Sequence, residues 1–275
     1  MPQDQDIPLQ LALEGYYAGI CESATFADEV MLPQLRAIES ITRSSNKSLT
    51  KKEEHLIQLY QRVCLWIKSV KVLNNAVHFQ AVTSIARSVF ELLVDIKLLI
   101  DDNPKDAVAR IDAFIQMERF RKAEDYTDFK KKNPGLEYIK NLKRDIFANK
   151  AGESDRIKKL KEKYWGKGKG RIEHWSGWGT KCRLQKAGKK YELLYYESIS
   201  LWNWYVHSAG LTGTKGISSD GLKAVFGKAL ENIVDIFCDT TEFVAKELKL
   251  KPAMPEFDKW IQRIRTAVGM VILEQ

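Results

Sequence analysis

HFQAVTSIARSVFELLVDIKLLI, residues 78–100, decides the fold class. Apolar side chains recur there at i, i+3, i+4 and i+7, the spacing of one face of a helix with 3.6 residues per turn. Ile85, Val89, Phe90, Leu92, Leu93 and Ile96 leave only a narrow polar face, so the helix is read as mostly buried. The most apolar part, Ser84 to Ile100, contains Arg87, Glu91, Asp95 and Lys97, which excludes a membrane span. Arg87 and Glu91 are four apart and share a helix face. They are read either as an ion pair pinning two helices or as a functional set. Desolvating two charges rarely repays itself in stability, and arginine suits bidentate contact with phosphate.

The same periodicity continues outward over most of the chain, and no segment alternates with period two. The expectation is an all-α, multi-helix bundle. Residues 8–44 read as one or two helices, with Pro33 a break or a first-turn proline. Thr50 with Glu53 makes a capping box that opens a helix to about Val72. Asn74-Asn75 is a turn, and Asp101-Asp102-Asn103-Pro104 stops the helix of residues 78–100 and starts the next, which runs to Lys132. Shorter helices follow at about 136–148, 154–164 and 181–187, another from Tyr191 to His207, and two more at about 219–249 and 256–273. The organisation read from this is an N-terminal helical segment, 1–72, a core domain carrying the motifs, 73–210, and a C-terminal segment, 211–275.

Charge is unevenly spread. From Arg119 to Lys190 there are 23 Lys or Arg against 9 Asp or Glu, a net +14, while the whole 275-residue chain is +8 and the remainder therefore −6. A basic stretch on a mildly acidic body is the pattern of a polyanion-facing surface, or else a solvated charged arm. Four cysteines (Cys21, Cys64, Cys182, Cys238) lie far apart with no C-x-x-C pair and read as buried, reduced thiols of a cytoplasmic protein. The acidic N-terminus lacks the order of a signal peptide.

Between the helices lies WGKGKGRIEHWSGWG, Trp165 to Gly179. Its glycines allow backbone N–H groups to approach an anion, and Lys167, Lys169 and Arg171 would favour one. Its tryptophans suit stacking on unpaired bases, or alternatively plug the core as an Ω-like loop. His174, Trp175 and Ser176 are its candidate site residues. The segment YELLYYESISLWNWYVHS places Tyr191, Tyr195, Ser198, Trp202 and Tyr205 on one stripe and ends in His207-Ser208. The stripe reads as core packing, and His207 as either a helix-end residue or a general acid/base. Four histidines without an i, i+4 pair give no zinc spacing, so no metal and no cofactor are expected.

The order Arg87-Ser88-x-x-Glu91, Trp175-Ser176-Gly177, Tyr191, Tyr195, Ser198 and His207-Ser208 resembles a bacterial family, domain of unknown function 5677, over about residues 70–210. More faintly, the chain is similar to the helical HEPN group, which includes toxin and phage-defence ribonucleases. Those carry an Arg and a His four to six residues apart on one helix. Here no Arg precedes a His at that spacing, so the resemblance implies that Arg87 and His207 meet across helices. On the enzyme reading, His207 or His174 takes the 2′-OH proton, Arg87 stabilises the phosphorane and Glu91 orients Arg87. On the alternative, a non-enzymatic helical module binds a nucleotide, nucleic acid or protein. RNA or single-stranded nucleic acid is the expected partner, with a membrane excluded and a homodimer left open. Trp175, Ser176, Tyr195, Ser198, Ser208, Lys167, Lys169 and Arg171 are the binding residues expected beside Arg87, Glu91, His174 and His207.

Overall fold

The computed structural model describes residues 9–44, 48–135, 152–202 and 218–267. Among them the regular backbone is helical and contains no strand, as the periodicity requires. In chain order come α1 (Leu9–Phe26), a π-turn (Ala27–Met31), α2 (Leu32–Ser44), α3 (Lys51–Lys71), a 3₁₀ turn (Ala76–His78) and α4 (Phe79–Ile100). There follow α5 (Ala107–Lys132), α6 (Glu153–Trp165), α7 (Thr180–Ala187) and α8 (Lys189–Leu194), which runs into a second π-turn (Tyr195–Ile199). The last elements are α9 (Ser219–Glu247) and α10 (Phe257–Arg265). The expected helix at 136–148 lies outside the described residues. The chain folds as two compact units: residues 1–101 with 184–275, and residues 102–183.

In the first unit α9 is the central helix. It is buried almost all round between Ala229 and Ala245 because α4, α1 and α3 pack on it. Tyr60 of α3 stacks on Phe237 of α9 at 6.3 Å, and its hydroxyl bonds Thr241 Oγ1 at 2.8 Å. That bond satisfies a polar group that would otherwise be costly to bury. Phe26 of α1 meets Phe257 and Trp260 of α10 at 5.9 and 5.5 Å. Each such fully buried large side chain contributes about 1.5–3 kcal/mol. Gly227 lets α1 close in on α9, since a Cβ there would lie 2.9 Å from Leu13 Cδ2.

Local signals explain the helix ends. Thr50 Oγ1 accepts the Glu53 N–H (3.2 Å) and Glu53 Oε2 accepts the Thr50 N–H (2.8 Å), the expected capping box at the start of α3. Pro33 does not break the helical course; it lies in the first turn of α2, directly after the π-turn. It has no N–H for the Glu29 carbonyl, and its ring crowds that oxygen. The wider π-turn just before it, closed by Leu32 N–H to Ala27 O, takes up the misfit. Lys52 Nζ holds both Glu247 Oε1 (2.6 Å) and the Ile100 carbonyl (2.9 Å), joining α3 to the C-terminal ends of α4 and α9.

In the second unit α5 and α6 pack on each other. Asp102 Oδ1 accepts the Ala107 N–H at 2.9 Å, so α5 begins at Ala107 rather than at Pro104. Ala113, Trp165 and Ile172 form its buried core, with Phe114, Met117, Leu160 and Tyr164 against them. Glu153 is buried in the first turn of α6, where the helix dipole favours a carboxylate, and it pairs with Arg156. Arg156 Nη1 reaches across to Gln116 Oε1 of α5 at 2.6 Å.

The thiols correct one expectation. Cys64 and Cys238 are buried, whereas Cys21 and Cys182 are only half-buried.

Candidate functional site

Residues 84, 87, 88, 91, 92 and 95 fall on one side of α4, because steps of three and four residues return to the same face. They are Ser84, Arg87, Ser88, Glu91, Leu92 and Asp95, and with Arg62 of α3 they line a groove of about 380 Å³. The opposite side of α4 supplies Val82, Val89, Leu93 and Ile96 to the core. Arg87 and Glu91 are each half-buried. The ion pair expected of them as one reading is not formed; neither is joined to the other within salt-bridge distance. The Ser84 and Ser88 hydroxyls donate to the Gln80 and Ser84 carbonyls at 2.8 and 2.9 Å. Their protons are thus held inside α4 and only lone pairs are offered outward.

The π-turn after α8 lies against α4: Tyr195 stacks on Phe90 at 6.2 Å, so two of the residues singled out in the sequence, Tyr195 and Arg87, belong to neighbouring elements of one unit. The aromatic stripe is core-facing, with Tyr191, Ser198 and Trp202 all buried. Tyr191 O–H donates to Asp239 Oδ2 (3.2 Å), which also accepts from Lys190 Nζ (2.5 Å), while Arg265 Nη2 reaches Asp239 Oδ1 at 3.2 Å. Burial, then the charge of Asp239, pushes the Tyr191 hydroxyl well above its ordinary value. This buried carboxylate hub ties α8, α9 and α10 together. Sequence reading missed it because the three partners of Asp239 lie 26 to 49 residues from it in the chain. Arg62 was missed too, as it lies among the ordinary helical pattern of α3.

His174, Trp175 and Ser176 belong to the other unit. Trp165 Nε1–H donates to the Trp175 carbonyl at 3.1 Å, and both rings are buried. Trp175 is therefore packing and not an exposed stacking surface, which corrects one expectation for it. Gly177 adopts φ +75°, and a Cβ there would overlap the Trp165 ring. The His174 imidazole is engaged at Nδ1. The Ser176 N–H donates to Nδ1 at 3.2 Å, so Nδ1 is an acceptor, and the Ser176 hydroxyl, itself accepting the Trp178 N–H at 3.1 Å, reaches the same nitrogen at 2.8 Å. This bonding assigns the ring proton of the neutral form to Nε2. With its lone pair engaged, Nδ1 is not arranged to act as a base. Lys167, Lys169 and Arg171 are exposed. Arg171 also lines a groove of about 310 Å³ between α5 and α6, together with Arg121, Lys158 and Lys161 and the apolar floor of Phe120 and Ile172.

His207 and Ser208 lie outside the described residues. Among the described residues no group of three His, Cys, Asp or Glu could hold a metal ion, and no helix is long and apolar enough to cross a membrane.

The family model described as "Family of unknown function (DUF5677)" matches residues 53–212. That span runs from the first turn of α3 through α4 and the π-turn after α8, so it takes in the α4 groove and the Trp165–Gly179 loop alike. No curated protein and no solved structure matches the chain, and the fainter HEPN-like resemblance finds no support in these comparisons.

Proposed function

For a chain that belongs to the DUF5677 family of unknown function, we propose that the unit formed by residues 102–183 binds RNA or other single-stranded nucleic acid. Charge segregation carries this reading. Residues 102–183 hold 22 Lys or Arg against 13 Asp or Glu, a net +9, while the rest of the chain holds 22 against 23, a net −1. The basic excess thus coincides with one compact unit, and the other is close to neutral. Within that unit Lys158, Lys161 and Arg171 line the α5–α6 groove, beside Glu124 and an Arg121 paired with Glu118, and Lys163 lies 4.8 Å over the Tyr164 ring. Such an array binds phosphates by releasing counterions, so affinity falls steeply with salt. Fluorescence anisotropy with a labelled single-stranded RNA, titrated with salt, tests it. Replacing Lys158, Lys161 and Arg171 together with alanine should flatten the log–log salt slope by about 0.7 per lost phosphate contact. A slope unchanged by the triple variant, or no binding at low salt, refutes the reading.

A second reading, metal-independent cleavage of that RNA, is favoured by one observation: Arg87 lines a groove without a carboxylate clamped to it. In this reading Arg87 stabilises charge developing on phosphorus and His207 transfers the proton. His174 is the weaker choice for the base because its Nδ1 already accepts from Ser176.

A further inference from the structure

Two arginines reach the α4 groove from different helices, Arg62 from α3 and Arg87 from α4. Three lysines of these helices find anions: Lys52 meets Glu247 at 2.6 Å, Lys68 meets Asp28 at 2.9 Å and Lys97 meets Asp101 at 2.5 Å. Arg62 and Arg87 form no hydrogen bond or ion pair with any described residue, although two carboxylates share their groove. Guanidinium groups present planar forks that match the oxygens of a phosphate. The groove is therefore lined by two phosphate-matched donors from neighbouring helices.

The rest of the lining narrows the ligand. Glu91 and Asp95 also line the groove, so the formal charges of its described lining residues balance. At about 380 Å³ the space is at the small end of ligand pockets, which span roughly 300–1,000 Å³. The Ser84 and Ser88 hydroxyl protons are spent on α4 carbonyls, so these side chains accept from a ligand and do not donate. Acceptors beside an anion clamp suit a molecule with hydroxyl donors next to its phosphate.

We propose that the α4 groove binds a small phosphate monoester of a polyhydroxylated molecule, a sugar phosphate or nucleoside monophosphate, with Arg62 and Arg87 holding the phosphate. This site is in the near-neutral unit and does not rest on nucleic-acid binding by residues 102–183.

Isothermal titration of the full chain with ribose 5-phosphate, inorganic phosphate and ribose tests it. Ribose 5-phosphate should bind saturably and more tightly than inorganic phosphate, and ribose should not bind. Arg62→Ala and Arg87→Ala should each weaken ribose 5-phosphate by about tenfold or more, the loss expected of a charge-assisted hydrogen bond. Arg62→Glu, at an exposed position whose reversal leaves packing alone, should abolish binding even if Arg87→Ala proves unstable. The Lys158, Lys161 and Arg171 triple variant should retain it, and Arg62→Ala should retain RNA binding. Overturning results are no saturable binding of ribose 5-phosphate, binding that survives Arg62→Glu, or binding lost in the triple variant, which would place the phosphate on the basic unit.

Discussion

Arg87 and Glu91 lie one turn apart on α4 and line the same groove, yet no ion pair joins them. Little stability is at stake in such a pair. Both side chains face an open groove, where a pair would be worth only about 0–1 kcal/mol. The guanidinium is thereby left to whatever enters the groove.

Stability should therefore barely notice the loss of Arg87. Arg87→Ala is expected to change unfolding free energy by less than about 1 kcal/mol, the range for substitutions that remove no buried partner. Urea unfolding of the variant beside the parent measures it. A loss of about 3 kcal/mol or more would show a buried charge pair in place of a solvated groove.

Helix identity was legible in the sequence because each helix carries its own signal. The apolar face of α4, the Thr50–Glu53 box and the Asn74-Asn75 turn all depend on residues within a few positions of each other. What was not legible depends on contacts between distant residues. The Asp239 hub unites residues from three helices, and no local pattern marks Asp239 as its centre. Arg62 reads as one more polar residue of α3 until α4 is placed beside it. Trp175 illustrates the opposite failure. Its glycine-rich surroundings suggested an exposed loop, but Trp165 draws the loop inward by a bond from its indole N–H.

That inward fold gives a sharp test at Gly177. Alanine there faces φ +75° and a ring in the way, whereas at Gly168 it faces a similar φ, +74°, and open space. Gly168→Ala should thus cost about 1–2 kcal/mol, the penalty of a left-handed conformation alone. Gly177→Ala should cost more and shift tryptophan fluorescence, because the Trp165 ring must move. Equal effects at the two positions would mean that the Trp165 contact is not what holds the loop.

The buried thiols make stability fall on the alkaline side. Burial pushes Cys64 and Cys238 up to about 12 each, against about 8.5 in an unfolded chain. Below about pH 8.5 both states keep the protons and the thiols contribute no pH dependence. Above it the unfolded chain releases protons that the folded chain retains, so stability is lost at up to about 1.4 kcal/mol per pH unit per thiol. Urea unfolding between about pH 8 and 10 should show this decline, and Cys64→Ala should roughly halve the thiol part of the slope. A flat profile across that window would mean that both thiols reach solvent in the folded state.

His207 separates the two functional readings. The family match extends to residue 212 and so includes it, while His174 has Nδ1 engaged by Ser176. In the cleavage reading His207 is therefore the proposed carrier of the proton. Its replacement by alanine should leave the salt-dependent binding of RNA to residues 102–183 intact, since that affinity comes from the basic unit. Cleavage should fall by roughly 10²–10⁴-fold, the usual contribution of a general acid or base. His174→Ala should cut cleavage far less. Excess chelator should leave the parent reaction running, because the proposed chemistry routes charge through Arg87 and the proton through His207 and requires no metal ion. Gel analysis of labelled RNA with the parent and both variants, each with and without chelator, decides it. No cutting by the parent protein under any of these conditions leaves RNA binding as the activity of the basic unit and removes catalysis from the α4 groove.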